Sequence, residues 1–527
     1  MTLATHTLGC KLNFAETSHL QRQMQQRGFD IVSHHERADI YVINTCTVTS
    51  VAAKKCRNAI RQASALNPHA IIAVIGCLAQ TDAEQIARIP WVDIILGNDQ
   101  KHRLPDILRI ENGELRIENY PSAEKIENYP GAEIENGESR IENYLGAEKI
   151  ENRESRIENG ELAAAPVPSS EGWSKTGVCI FSNLNSQFKT NSQFSTLRKA
   201  SEEGKSQDLH YSEPKQCLEE ILNSQFHPAY SGDDRTRTFF KIQDGCDYFC
   251  TYCAIPFARG RSRSATIADT MAMARQIAAT GTREVVLTGV NTGTFGQHNG
   301  ETLLQLLQQL DQIPQILRYR ISSIEPNLIT HSIIDFIASS RAFLPHFHIP
   351  LQAGSDKVLR LMHRRYDTAL YAARLAHIKE VMPHACIAAD VITGFNGEDD
   401  DTFAASQAYI DSLPISYLHV FPYSDRPGTA ALSLPERVPI PVRKARSIEL
   451  HHLSDHKRHA FIQSQTGTVR NVLWEHSPHP TPDGTTMQGW TDNYIRLQRP
   501  YDPALAGAVT PYPIEKSTIV DNFSYDD

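Results

Sequence analysis

Long hydrophobic runs are absent from the sequence. No stretch approaches the roughly 18 consecutive apolar residues that a membrane-spanning helix needs, and the start lacks the basic and then apolar segments of a secretory signal. We therefore expect a cytoplasmic protein with no membrane partner. Cysteine is also sparse, and ten in 527 residues do not suggest a disulfide framework, because cytosolic thiols are kept reduced. Their spacing must decide between free thiols, metal ligands and catalytic groups.

Apart from one acidic segment, the chain has no strong excess of positive or negative charge. The net charge is −9, but residues 110–162 hold 14 Glu against six Lys and Arg, so the rest of the chain sums to about −1. The overall acidity therefore does not exclude an RNA partner. In this segment Ile-Glu-Asn starts seven times at uneven spacings of 7 to 9 residues, whereas a coiled coil needs a steady heptad. We predict that residues 110–232 are a low-complexity, mostly disordered insertion.

Apolar runs alternate with helical patterns on both sides of this insertion. The alternation predicts an α/β protein in which residues 1–109 form a doubly wound parallel sheet. Over residues 233–460, six candidate strands with intervening helical patterns predict a partial (β/α)6 barrel of the TIM type. Beyond these, short apolar runs separated by Gly and Pro predict a small β-barrel over residues 461–527.

Three cysteines in one short loop give the strongest chemical signal. Cys246, Cys250 and Cys253 have three and then two residues between them, and thiolates suit both iron–sulfur clusters and zinc. A structural zinc site needs four ligands, and no fourth Cys or His lies nearby. The loop follows the first strand of the predicted barrel, on the edge where such barrels place their active sites. We therefore favour an iron–sulfur cluster with one open iron.

Three further cysteines each follow a predicted strand directly. These are Cys10, Cys46 and Cys77, and in a parallel sheet such positions share the carboxyl edge, where ligands bind. A buried free cysteine is the usual alternative for any one of them, but three equivalent positions indicate a second cluster. The remaining cysteines lack such support and are not expected to be ligands: Cys56, Cys179, Cys217 and Cys386.

The contexts of these cysteines resemble the radical S-adenosylmethionine (SAM) methylthiotransferase family. The motifs on which this resemblance rests are, in chain order, TLGCKLN, NTCTVT, GCLAQ, KIQDGCDYFCTYCAIPFARGRSRS, EVVLTGVNTGTFG, RISSIEP, FHIPLQAGSDKVLRLMHRRY, ADVITGFNGEDDDTF and VFPYSDRPGTAA. The resemblance covers roughly residues 1–108 and 233–525. The first motif and the cysteine loop are most similar to the branch that acts on N6-threonylcarbamoyladenosine beside the tRNA anticodon.

This resemblance implies two four-iron clusters and SAM as cofactors. SAM would bind the open iron of the Cys246/Cys250/Cys253 cluster and be cleaved to a radical. Sulfur would come from the other cluster, and a second SAM would supply the methyl group. The cofactors carry the chemistry, so no side chain is expected as a catalytic acid or base. An electron donor such as flavodoxin or ferredoxin is implied as a partner beside tRNA.

Polar and glycine residues at predicted strand ends are candidates for SAM contacts. Backbone close to the cofactor and a few hydrogen-bonding anchors would be needed there, although ordinary turn chemistry explains the same residues. The candidates are Thr288, Gly289, Ser323, Glu325, Gln352 and Gly394.

Basic and aromatic residues are candidates for RNA contacts. A collar of cations around the cysteine loop could neutralise phosphates: Arg235, Arg237, Lys241, Arg259, Arg261 and Arg263. Near the carboxyl end, GWTDNYIRLQ resembles the TRAM module that family members use on RNA. Its neighbourhood offers stacking and phosphate-binding side chains, although the aromatics are equally explained as core: Trp474, Trp490, Tyr494, Arg496 and Arg499.

Three other functions remain open. Related branches act on isopentenyladenosine in tRNA, where a GCQMN-like motif is usual, or on an aspartate of a ribosomal protein. A non-catalytic iron–sulfur RNA-binding protein is the third, and the complete set of six cysteines argues against it. We also expect that deleting residues 112–230 leaves cluster content unchanged.

Overall fold

The amino-terminal part of the chain contributes most strands of one sheet. Its strands are β1 (Thr2–Thr7), β2 (Asp30–Val32), β3 (Ile40–Thr45), β4 (Ile71–Gly76), β5 (Ile94–Leu96) and β8 (Cys179–Ile180). Their order in the sheet is β2-β1-β3-β4-β5-β8, and they are parallel except for β8 at the edge. The computed structural model describes residues 1–48, 50–111, 114–117, 179–180, 224–232, 236–476, 479–481 and 484–520.

Helices cover both faces of this sheet because each buried strand is apolar on both sides. One core lies between the sheet and α2, α3 and α4, and a second lies under α1 and α5. These two cores are what a doubly wound parallel sheet requires. The helices are α1 (Lys11–Gln26), α2 (Ser50–Leu66), α3 (Cys77–Thr81), α4 (Ala83–Ala87) and α5 (Leu104–Ile107).

Parts of the predicted insertion are ordered and packed. Strands β6 (Leu108–Glu111) and β7 (Glu114–Ile117) form a hairpin, and Leu115 is buried in the second core. Farther along, β8 pairs with β5, and β9 (Ala229–Tyr230) pairs with β10 (Arg237–Lys241). These pieces are ordered within a segment that we predict to be mostly disordered, and the rest of that prediction lies outside the described residues.

The central part of the chain contains six parallel strands in sequence order. Their bounds are β10 (Arg237–Lys241), β13 (Glu284–Thr288), β14 (Arg318–Ile321), β15 (His346–His348), β16 (Cys386–Thr393) and β17 (Tyr417–Pro422). They form two sheets, β10-β13-β14 and β15-β16-β17, joined by a bridge between Tyr319 and Phe343, and the antiparallel strand β9 extends the first sheet beside β10. The α/β class with parallel sheets is confirmed.

Every second side chain of these strands faces the surrounding helices, because successive side chains of a β-strand point to opposite faces of the sheet. Val285, Phe347, Ile387 and Leu418 belong to the large core under the helices, so their neighbours along the strands face the other way. We call that opposite side the inner face. The helices are α6 (Ile255–Arg259), α7 (Ile267–Ala279), α8 (Leu303–Leu310), α9 (His331–Ser339), α10 (Asp356–Leu361), α11 (Thr368–Val381), α12 (Asp400–Ser412) and α13 (Ile440–Gln465). A short hairpin of β11 (Gln243–Asp244) and β12 (Arg263–Ser264) brackets the cysteine loop.

The carboxyl-terminal part forms an antiparallel sheet with its own small core. Its strands are β18 (Val469–Trp474), β19 (His479–Thr481), β20 (Gly484–Thr491), β21 (Arg496–Pro500) and β22 (Val509–Pro513). Arg318 donates hydrogen bonds to the backbone oxygens of Trp490 and Thr491, at 3.0 and 2.9 Å, which attaches this sheet to the central strands. In the part of the chain that the structure describes, every helix is too short or too polar to cross a membrane.

Candidate functional site

The first three cysteines meet at the carboxyl edge of the amino-terminal sheet. Cys10 follows β1 and precedes α1, Cys46 follows β3, and Cys77 follows β4. Since β1, β3 and β4 are neighbours in the sheet, their carboxyl ends lie side by side. Cys10 is exposed, whereas Cys46 and Cys77 are buried. One exposed thiol above two buried ones leaves the group open on one side.

A glycine permits the close approach of two of these cysteines. Gly9 has φ +101°, and a Cβ built on it would lie 2.7 Å from the Cβ of Cys46 and 2.9 Å from its Sγ. Burial, together with the neighbouring Cys77 and Cys10 groups, raises the pKa of Cys46 to about 12. The three thiols are therefore close enough to interact. A metal centre bound here would have to displace their protons.

The second set of cysteines lies in the loop between β11 and α6. Gly245, with φ +69°, turns the chain into this loop, and the backbone N–H of Cys246 donates to the oxygen of Gly260 at 3.1 Å. The N–H of Cys253 donates to the oxygen of Cys250 at 2.9 Å. Burial raises the pKa of Cys246 to about 12, with Cys250 among the lesser causes. These three thiols, too, form one compact group.

An arginine faces the second set. Arg364 follows α10, and its Nη1 lies 3.1 Å from the Sγ of Cys250. The same guanidinium forms an ion pair with Glu325 and donates to the hydroxyl of Tyr366 at 3.1 Å. Burial raises the pKa of Cys250, and the fixed cation beside it opposes this rise. This position therefore suits a ligand that must be deprotonated.

Asn98 connects the first set of cysteines to the helix that follows the second set. Its Nδ2 lies 3.3 Å from the Sγ of Cys77 and 2.7 Å from the backbone oxygen of Ala258 in α6, the helix that follows the second set. On another side, burial lowers the pKa of Arg426, and a thiolate at Cys46 opposes that shift. Arg426 comes from the loop after β17, so the central part of the chain also approaches Cys46.

A buried group of charged residues lies between the amino-terminal and central parts. Glu16 on α1 contacts Lys101, Lys241 and Arg259 at 2.5, 2.7 and 3.1 Å, and their side chains are 1–9% exposed. Lys241 and Arg259 also contact Asp244, at 2.7 and 2.9 Å. Burial alone would raise the pKa of Glu16, but the three cations outweigh it and hold that pKa well below its usual range. We call these five residues the interface charge network.

The predicted collar of RNA-binding cations is wrong for Lys241 and Arg259. Both side chains are buried in the interface charge network, at 3% and 1% exposure, and so are unavailable to phosphates. Arg263 is mostly covered and contacts Asp244 at 3.2 Å. Arg261 remains exposed, and Arg237 packs over the Trp490 ring at 5.2 Å. Arg235 lies outside the described residues.

The predicted stacking surface in the antiparallel sheet is wrong for Trp474 and Trp490. Trp474 is fully buried, and its Nε1 donates to the hydroxyl of Thr510 at 2.9 Å. Trp490 is 6% exposed and stacks on Tyr494, whose ring also packs on His346. Trp474 belongs to the small core of the sheet, whereas Trp490 and Tyr494 fill the joint between the sheet and the central strands. Arg496 and Arg499 remain partly exposed.

The predicted SAM contacts lie at the carboxyl ends of the central strands. Thr288 ends β13, and its buried Oγ1 has no hydrogen-bond partner among the described residues. Gly289 follows it, and a Cβ there would lie 2.8 Å from the Oε1 of Gln243. The backbone oxygen of Ser323 accepts from the Thr292 hydroxyl at 2.9 Å. The unpartnered Thr288 hydroxyl leaves a hydrogen bond free for a cofactor.

Two other predicted contacts have unusual backbone conformations. Gln352 has φ +66°, a strained region for a residue other than glycine, and such strain is common at functional sites. Gly394 has φ +69°, and a Cβ on it would lie 3.0 Å from the Cα of Arg443. Packing against α13 therefore accounts for this glycine without a ligand.

Several residues of the site were not singled out by the sequence pattern. Asn98 comes two residues after β5, so the strand-end rule that identified the cysteines would have found it. Arg364 lies within the HRRY part of a recognised motif. Glu16 and Lys101 carried no signal, because exposed and buried charges look alike in a sequence.

Comparison with known proteins identifies two family models in the chain. Residues 2–97 match the family described as uncharacterized protein family UPF0004, and residues 240–410 match the radical SAM superfamily. Their spans include one cysteine set each.

Several curated proteins match this chain over nearly its whole length. Threonylcarbamoyladenosine tRNA methylthiotransferase MtaB of Bacillus subtilis (strain 168) is 32% identical over 94% of this chain and 90% of its own length. The protein of that name from Aquifex aeolicus is 31% identical over 95% and 97%. A tRNA-2-methylthio-N(6)-dimethylallyladenosine synthase of Methylobacillus flagellatus is 26% identical over 95% and 93%. The resemblance found in the motifs is thereby confirmed, and the chain belongs to the tRNA methylthiotransferase family of radical SAM enzymes.

Proposed function

We propose that this enzyme converts N6-threonylcarbamoyladenosine beside the tRNA anticodon to its 2-methylthio derivative. Two relatives above 30% identity over nearly the whole chain bear the name of that activity. The structural observation that carries the proposal is Asn98, which contacts Cys77 of one set and the backbone just after the other set. Two cysteine sets at one interface suit a reaction that combines a sulfur donor with a radical source.

The thiol groups fit iron–sulfur clusters. Each set offers three soft ligands, and three protein ligands leave one iron of a four-iron cluster open. We therefore propose two [4Fe-4S] clusters, held by Cys10, Cys46 and Cys77 and by Cys246, Cys250 and Cys253. When bound, the second cluster with SAM supplies a radical that removes hydrogen from an unactivated carbon, which no side chain can do as acid or base.

The protein's own residues orient these groups and exclude water. Arg364 holds a positive charge beside Cys250, and the Thr288 hydroxyl offers a free hydrogen bond at a strand end. We propose SAM contacts there and at Gly289, Ser323, Glu325, Gln352 and Gly394. The six parallel strands would form a partial barrel. The antiparallel sheet would form a TRAM-like module that reaches RNA through partly exposed arginines such as Arg499. A flavodoxin or ferredoxin would supply electrons.

Iron content tests the two-cluster part of the proposal. Anaerobically reconstituted protein should hold about eight irons, and the Cys10/Cys46/Cys77 triple alanine variant about four. Cys386→Ala is the matched control, because Cys386 is a buried cysteine away from both sets and its loss should leave about eight. About four irons in the native protein would leave a single cluster and remove the proposed sulfur donor.

Nucleoside analysis tests the substrate. The reconstituted enzyme, SAM and reductant would be incubated with tRNA bearing threonylcarbamoyladenosine or isopentenyladenosine, followed by mass spectrometry of the nucleosides. We expect the methylthio group only on the first. Isopentenyladenosine is the main competing substrate, because one relative is named for dimethylallyladenosine. If the enzyme modifies only isopentenyladenosine, that nucleoside replaces threonylcarbamoyladenosine as the proposed substrate. Modification of neither would leave a ribosomal-protein aspartate as the next substrate to assay.

A further inference from the structure

A polar cluster lies on the inner face of the central strands, outside both cysteine sets. His348 on β15, Asp390 on β16 and His419 on β17 bring one ligand-type atom each within 4.8 Å of the others. The Nε2 of His348 lies 2.8 Å from the Oδ1 of Asp390, and the rings of His348 and His419 are 5.2 Å apart. Side chains of His348 and Asp390 are 19% and 20% exposed. A ligand can therefore reach this cluster.

A lysine from the amino-terminal part faces the same cluster. Lys11 begins α1, directly after Cys10, and α1 packs on the inner face through Phe14 and Ala15. The charge of Lys11 acts on the pKa values of Asp390 and His419, so its ammonium group lies near them. Lys11 makes no hydrogen bond or ion pair with any other described residue. Its charge is thus available to a ligand that lies between the first cysteine set (Cys10, Cys46 and Cys77) and the inner face.

The charge balance around Lys11 favours an anion with polar neighbours. The charges that act on His419 include two cations, Lys11 and Arg458, and one carboxylate, Asp390, which is hydrogen-bonded to His348. Burial and the neighbouring His348 lower the pKa of His419 to about 4, so this ring is neutral and can both donate and accept a hydrogen bond. An apolar substituent placed here would leave the ammonium and imidazole groups without partners. A carboxylate flanked by hydroxyl and amide groups would satisfy them.

We propose that Lys11 and His419, with the His348–Asp390 pair beside them, form a subsite for the amino-acid substituent of the substrate base. Lys11 binds the free carboxylate of that substituent, and His419 hydrogen-bonds its hydroxyl or urea group. This inference rests on the proposed function and adds the means by which the enzyme distinguishes a charged, polar substituent from an apolar one. It makes Lys11 and His419 specificity-determining residues.

Binding of RNA stem-loops tests the subsite. The reconstituted full-length protein would be titrated with anticodon stem-loops that carry threonylcarbamoyladenosine or plain adenosine, with fluorescence anisotropy as the readout. We expect Lys11→Gln and His419→Gln to reduce the preference for the modified stem-loop, by about 10- to 100-fold for the lysine, since a charged hydrogen bond is lost. Lys11→Arg, which keeps the charge, should retain most of the preference. Lys444→Gln, at an exposed lysine of α13, is the matched control and should bind as the native protein does.

Each outcome separates the subsite from the function. If the native enzyme methylthiolates threonylcarbamoyladenosine while both glutamine variants keep the full preference, the subsite is refuted and the function stands. If Lys11→Gln instead binds both stem-loops more weakly by the same factor, Lys11 contacts a phosphate, and the subsite is refuted as well. If the native protein binds one zinc ion per chain and His419→Gln does not, the cluster of His348, Asp390 and His419 is a metal site instead. A native enzyme that modifies no threonylcarbamoyladenosine would refute the proposed function itself.

Discussion

At the scale of single residues, Gly9 sets how closely two cysteines approach. An alanine there would have to adopt φ +101° and place its Cβ 2.7 Å from that of Cys46. We expect Gly9→Ala to cost about 1–3 kcal/mol of stability from backbone strain. It should also displace Cys46, so that anaerobic reconstitution recovers about four irons instead of eight.

Gly281 supplies the matched control for this prediction. It has φ +84°, but a Cβ on it meets nothing within 4 Å. Gly281→Ala should therefore lose a similar amount of stability and keep its full iron content. If both variants reconstitute equally, the contact with Cys46 does not govern the cysteine geometry.

Single residues also show where sequence reasoning stops. The six cysteines were found because strand ends and the spacing of a loop are local features. The partner of Glu325, Arg364, lies 39 residues away in sequence, and no local pattern pairs them. The sequence offers Trp474 and Trp490 as RNA contacts as readily as core residues, because successive side chains of a strand point to opposite faces and the sequence does not say which face is covered. Only packing decides which face is covered.

At the scale of elements, the hairpin β6-β7 completes the amino-terminal core. Leu115 is 5% exposed and packs with residues of α5 and of the sheet. We expect Leu115→Ala to lower the free energy of unfolding by about 2–4 kcal/mol through the cavity it leaves. Leu66→Ala, at a leucine that is 39% exposed at the end of α2, should cost clearly less. Equal losses in denaturant titrations would mean that the hairpin only rests on the surface.

The hairpin carries the amino-terminal core beyond residue 109, the predicted boundary. Residues 114–117 belong to a segment that is rich in Glu and Asn, and composition dominated the sequence-based interpretation. Only Leu115 and Ile117 alternate inward, and two apolar side chains are too few to reveal a strand. By contrast, the parallel strands were predictable because each is a continuous apolar run buried on both faces.

At the scale of the whole molecule, the interface charge network joins the two parts that carry the cysteine sets. Glu16 is the acidic partner of Lys101, Lys241 and Arg259. Glu16→Gln would leave Lys101 without its carboxylate partner. Asp244 would then be the one carboxylate of the network beside Lys241 and Arg259. Breaking a buried ion pair in this way typically costs about 3–5 kcal/mol. We expect a lower melting temperature and a faster release of the amino-terminal part on limited proteolysis. Glu449→Gln, at an exposed glutamate of α13, should change neither.

The same network makes stability depend on acid pH. The cations hold the pKa values of Glu16 and Asp244 well below their ordinary 4.5 and 3.8. In the unfolded chain these carboxylates take up protons near the ordinary values, whereas the folded protein keeps them ionised. Their contribution is therefore full above about pH 5 and is lost as the pH falls below about 4.5, at up to 1.4 kcal/mol per pH unit for each carboxylate.

Glu16→Gln should remove one of these two contributions. Denaturant titrations of the cluster-free protein between pH 5.5 and about 3.5 would show a shallower loss of stability in the variant than in the native chain, because one fewer proton is taken up on unfolding. Cluster-free protein is required so that acid release of iron does not add to the slope. Parallel pH profiles for the native chain and the variant would show that Glu16 is not held ionised by its three cations. The docking of the two parts would then have to rest on contacts such as that between Asn98 and Ala258.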